Sequence, residues 1–102
     1  MNIEAARNFI EYIDETILRC EDGEYVADNH GRYPRDTYLK SIVTEARELM
    51  KYGEAEIALE NMLENLNEVS IGINKEAAQL LEQAFGEEYS NRVNRLIKIL
   101  DE

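Results

Sequence analysis

Apolar residues recur at steps of three and four along most of this chain. In the first segment Ile3, Ala6, Ile10, Ile13 and Ile17 keep that rhythm, and Phe9 and Leu18 widen the stripe. Such steps return side chains to one face of a helix, so the pattern predicts a helix over residues 3–20 with Asn2 as its N-cap. Leu39, Ile42, Val43, Ala46, Leu49 and Met50 predict a second helix, from Asp36 as cap to Tyr52. Gly53 stands where a helix commonly ends in the left-handed conformation. A third helix is predicted to run to Val69. At roughly 100° per residue, Ala55, Ala58, Leu59, Met62, Leu63, Leu66 and Val69 fall within one arc. Asn74 is the expected cap of a fourth helix, where Ala77, Leu80, Leu81, Ala84 and Phe85 share a face and Gly86 is the stop. Tyr89, Val93, Leu96, Ile97 and Leu100 predict a fifth helix over residues 87–100.

Two stretches interrupt the rhythm. Residues 21–36, EDGEYVADNHGRYPRD, hold Gly23, Gly31, Pro34 and several Asp and Asn residues. They read as a loop of about 15 residues with a short extended piece at Tyr25–Ala27, and loops of that length are often functional. SIGIN, residues 70–74, reads as a short connection with Ile71 and Ile73 turned inward on either side of Gly72. The expected fold class is all-α: a compact bundle of four to five mostly antiparallel helices with one long loop near residues 21–36, forming a single domain over residues 1–102.

The polar half of the third helix is unusual. Glu56, Glu60, Glu64 and Glu68 repeat at a strict spacing of four, with Glu54, Asn61, Asn65 and Asn67 on the same half. Like charges so spaced repel by about 0.2–0.5 kcal/mol per pair, which is small enough for a solvated face to bear. Two details point beyond solvation. The second helix interleaves Lys40, Glu45, Arg47, Glu48 and Lys51, whereas residues 53–74 contain no lysine or arginine. Ile57 also lies within the acidic half, an apolar contact inside a field that would steer a cationic partner. The candidate partner-binding residues are therefore Glu56, Ile57, Glu60, Asn61, Glu64 and Glu68, joined by Tyr25 and Asp28 from the loop. Leu59, Met62, Leu63 and Leu66 are assigned to the core.

Composition strengthens the electrostatic side of this picture. The 102 residues are 44% hydrophobic and 32% charged, which fits a folded domain, and the net charge is −11. That charge is uneven: residues 1–30 carry −6, residues 31–52 carry +2, residues 53–74 carry −5 and residues 75–102 carry −2. A field of this sign disfavours nucleic acid and anionic membrane as partners and favours a basic protein. No apolar run approaches the roughly 18 residues of a membrane span, and MNIEAARNFI lacks the basic and apolar regions of a secretory signal. A single cysteine, Cys20, allows no internal disulfide and is compatible with the reducing cytoplasm.

Catalytic patterns are lacking. His30 is the only histidine and Cys20 the only cysteine, too few for a zinc site, and a Cys–His pair would require the loop to fold back onto the first helix. Asp22, Glu24 and Asp28 do not follow calcium-loop spacing, and no glycine-rich phosphate loop occurs. The expectation is a protein that is not an enzyme and uses no cofactor or metal.

Residues 46–74, ARELMKYGEAEIALENMLENLNEVSIGIN, carry a family resemblance. Tyr52-Gly53-Glu54 closes one helix, Ala58-Leu59-Glu60 and Glu64-Asn65-Leu66 mark the next, Glu68-Val69-Ser70-Ile71-Gly72-Ile73 connects, and Asn74 to Ala84 opens like NKEAAQLLEQA. This resembles the MafI family of bacterial immunity proteins, small acidic partners of secreted polymorphic toxins. The resemblance implies an inhibitor without catalysis of its own, binding one cognate toxin domain in the bacterial cytoplasm and blocking its active site or substrate-binding surface. A nuclease is one candidate target, since a nuclease must be basic to hold its substrate. The alternative reading is an acidic helical adaptor or regulator, acting by self-association or through another basic protein.

Overall fold

Asparagines fix the start of two helices. In the computed structural model, which describes residues 1–100, the Asn2 side chain accepts the Ala5 N–H at 3.1 Å and the Asn74 side chain accepts the Ala77 N–H at 2.9 Å. They open α1 (Ile3–Ile17) and α4 (Lys75–Phe85). Between these lie β1 (Tyr25–Asp28), β2 (Gly31–Pro34), α2 (Arg35–Lys51) and α3 (Ala55–Glu68), and α4 is followed by a 3-10 turn (Gly86–Glu88) and the single-turn α5 (Tyr89–Arg92). The fold is mostly helical with a small antiparallel sheet. The domain expected over residues 1–102 thus reaches two positions that lie outside the described residues.

Helix ends follow from backbone chemistry. At the end of α2 the Glu54 N–H donates to the Leu49 carbonyl and the Gly53 N–H to the Met50 carbonyl, while Gly53 adopts φ 74°. The same pair of bonds closes α3, from Ile71 to Leu66 and from Ser70 to Asn67. There the left-handed position is taken by Ser70 at φ 60°, the one described non-glycine residue with positive φ. α2 begins at Arg35, with Pro34 preceding it, rather than at a capping Asp36. Asp36 lies in the first turn and accepts the Thr37 N–H, a favourable place for an acid near the positive end of the helix dipole.

The core sits among the four long helices. α2 packs against α1 and α3, and α1 packs against α4. Phe9 and Ile13 of α1, Leu39 and Ile42 of α2, Leu59, Met62, Leu63 and Leu66 of α3 and Leu81 of α4 are all buried in one cluster. Burying each such side chain stabilises the fold by about 1.5–3 kcal/mol relative to leaving it exposed. The inward face of α1 is Ala5, Ala6, Phe9, Ile10, Ile13 and Ile17. The expected stripe was centred slightly off this face, for Ile3 is exposed and Leu18, 87% exposed, lies beyond the helix, which stops at Ile17 rather than residue 20.

Two further expectations are corrected. Residues 21–36 are not simply a loop, because β1 and β2 form a hairpin in which Val26 pairs with Tyr33 and Asp28 with Gly31. The Asp28 carboxylate accepts the His30 N–H at 2.7 Å and the Gly31 N–H at 3.1 Å, so a side chain helps to close the turn. The pattern showed only Tyr25–Ala27 as extended, since the turn lacks the adjacent Asn-Gly or Asp-Gly pair that marks most two-residue hairpins. Residues 87–100 are likewise not one helix. Beyond α5 the chain turns and straightens, so that Ile99 lies parallel to Ile73. The Ile73 N–H donates to the Lys98 carbonyl at 3.0 Å, and the Leu100 N–H donates to the Ile73 carbonyl at 2.7 Å. Gly72 permits this approach: a Cβ there would stand 2.9 Å from both the Lys98 carbonyl oxygen and a Leu100 methyl. Val93 and Ile97 are buried by this route while Leu100 stays exposed, and tertiary pairing takes the place of helical hydrogen bonds at Lys98 and Leu100.

Candidate functional site: the acidic ridge of α3

Leu59, Met62, Leu63 and Leu66 hold α3 by one face, which turns the opposite face outward. Glu56, Ile57, Glu64, Asn67 and Glu68 are exposed there, while Glu60, Asn61 and Asn65 are half-buried by neighbouring elements. Ile57 keeps 47% of its surface exposed, and it lies on the crest between Glu64 and Glu68 at about 100° per residue.

The ridge divides into two halves of different electrostatic character. In its N-terminal half, α5 delivers Arg92 to the glutamates. The Arg92 guanidinium contacts Glu56 and Glu60, the latter at 2.9 Å, and Glu88 of the preceding turn stands 3.6 Å away. A cation 32 residues further along the chain thus relieves two of the four glutamates, so the stripe is not wholly unpaired. The first-turn position of Glu56 is also favoured by the helix dipole.

The C-terminal half has no such relief. Among the described residues Glu64 and Glu68 have no ion-pair partner, and the last turn of α3 contains no base. Both acids stand near the negative end of the dipole, which makes this the part of the ridge most favourable for an incoming cation.

The hairpin borders the same half through Tyr38. Its hydroxyl donates to the Asn65 carbonyl at 3.2 Å, and its ring lies 5.6 Å from that of Tyr33. Burial, with the negative charges of Asp28 and Glu68 and the Tyr33 phenol nearby, pushes the Tyr38 hydroxyl above the usual phenol range. Asp28 itself is half-buried and committed to the hairpin turn. Tyr25 stands at the other end of β1, about 10 Å along the strand from Asp28. Its exposed ring is covered on one side by the Arg32 guanidinium, 4.4 Å from the ring centre.

Sequence reasoning placed Ile57, Glu64 and Glu68 on a common exposed face, and the structure keeps them together. It did not find Arg92 and Tyr38 as parts of the ridge. Both reach the ridge through packing alone, Arg92 from α5 and Tyr38 from α2. Cys20 and His30 are engaged separately: the thiol donates to the Thr16 carbonyl at 3.5 Å, and His30 is exposed in the hairpin turn. Among the described residues no group of His, Cys, Asp and Glu could hold a metal ion, and no helix is long and apolar enough to cross a membrane. Comparison with family models, with curated proteins and with solved structures gives no match.

Proposed function

We propose that this protein is a bacterial immunity protein, acting in the cytoplasm by stoichiometric binding of a basic toxin domain. The observation that carries the reading is the crest of α3, where exposed Ile57 lies beside Glu64 and Glu68, two carboxylates with no ion-pair partner among the described residues. Such a surface attracts a cationic partner over a distance and offers it one apolar contact on arrival. The similarity of residues 46–74 to MafI proteins supplies the kind of partner. A nucleic-acid-cleaving toxin suits it best, since the positive surface that holds a polyanion would also accept the ridge.

The test is co-expression and calorimetry with the toxin domain encoded beside this gene, using the wild type and a Glu64→Lys, Glu68→Lys double variant. Lysines near the C-terminus of α3 suit the helix dipole, so the variant is expected to fold. Two reversed charges against a basic surface are expected to weaken binding by at least tenfold and to abolish protection. Unchanged affinity would exclude the crest as the site, and absence of binding by the wild type would overturn the reading.

A further inference from the structure

The opposite electrostatic feature lies between α1 and α2. Arg7, Ile10 and Glu11 from α1 and Arg47, Met50 and Lys51 from α2 line an open, mainly apolar groove of about 480 Å³. Three cations around one apolar floor are unexpected on a chain of net charge −11.

The acids nearby are arranged so as to leave part of this positive charge unmatched. Glu11 stands four residues after Arg7 and is available to it on the helix surface. Instead its carboxylate accepts from Arg47 at 2.7 Å, and Asp14 accepts from the same guanidinium at 3.1 Å. Those two bonds join α1 to α2, and they raise the Arg47 pKa above its usual value. With Glu11 so engaged, Arg7 has no ion-pair partner among the described residues. Lys51 has only an exposed contact with Glu48 at 3.6 Å, with 73% of its side chain in solvent.

We propose that this groove binds a small amphipathic carboxylate, with its apolar body on Met50 and the aliphatic stems of Arg7 and Lys51, over the buried Ile10, and its head group between the Arg7 and Lys51 cations. The volume lies within the range of small-molecule pockets, which take most of their affinity from apolar lining and their orientation from a few charged groups. A compact ligand is favoured over an acidic peptide. A peptide chain running out of the groove would meet exposed acids on both helices, Glu4 and Glu15 on α1 and Glu45 and Glu48 on α2. A short anion held between the two cations would avoid them. The site lies on α1 and α2, apart from the α3 crest, so it stands or falls independently of the toxin-binding reading.

The experiment is a titration of the full chain with decanoate, followed by amide NMR shifts and by displacement of 8-anilinonaphthalene-1-sulfonate fluorescence. Saturable shifts centred on residues 7–11 and 47–51 are expected. Arg7→Gln with Lys51→Gln should weaken decanoate at least tenfold and leave decanol affinity within twofold. A charge-matched control, Lys40→Gln with Lys75→Gln, should change neither, and thermal melts will show that both double variants fold. The proposal is overturned by shifts centred elsewhere, by equal loss in the control, by no saturation below millimolar decanoate, or by tighter binding of a Leu-Glu-Glu peptide than of decanoate.

Discussion

Arg92 is the least expected contributor to α3, and removing it has a calculable effect. In Arg92→Gln the guanidinium no longer bridges Glu56, Glu60 and Glu88. Its side chain is 41% exposed, so each contact is discounted to the range of surface pairs, about 0.2–1 kcal/mol. The repulsion between Glu56 and Glu60, newly uncompensated, adds about 0.2–0.5 kcal/mol. The contacts share one cation and do not add fully, so the expected destabilisation is about 1 kcal/mol. That corresponds to a fall in Tm of roughly 4–8 °C for a domain of this size. Urea unfolding followed by circular dichroism would measure it in low salt and again in 1 M NaCl, where the Debye length is about 3 Å and most of the difference should vanish. A cycle with Glu60→Gln isolates the pair. A change under about 0.2 kcal/mol, or one insensitive to salt, would refute the view that Arg92 neutralises this half of the ridge.

Two further outcomes are expected. Ser70→Gly should stabilise the protein by about 1 kcal/mol in the same urea assay, because Ser70 occupies a left-handed position at φ 60° where a side chain is strained. The raised Tyr38 and Tyr89 hydroxyls make a prediction for alkaline solution, the former raised by burial and nearby Asp28 and Glu68, the latter by burial and nearby Glu82. A pKa raised on folding leaves stability unchanged below the unfolded value of 10.0 and erodes it as pH rises from there towards the folded value. Ultraviolet titration of the phenolates should therefore show a late-titrating fraction that shrinks in Tyr38→Phe.

What the sequence determined by itself is local. Asn2 and Asn74 cap their helices and Gly53 and Gly86 end theirs, because capping and left-handed termination involve atoms within a few residues of one another. The buried face of α3 was legible in full, since a single period of 3.6 sorts its residues into inside and outside. Tertiary structure decided the rest. Apolar spacing after Tyr89 suits a helix, yet Ile99 finds its backbone partner in Ile73, and Gly72 leaves the room for it. The hairpin packs against α2, a contact that no pattern within residues 21–36 reports. The acidic stripe is the sharpest case. Its spacing is written in residues 56–68, but which of its charges are paired depends on where Arg92 comes to rest. Sequence fixes the charges along a helix, and only the packing of distant elements decides which of them meet a partner inside the chain.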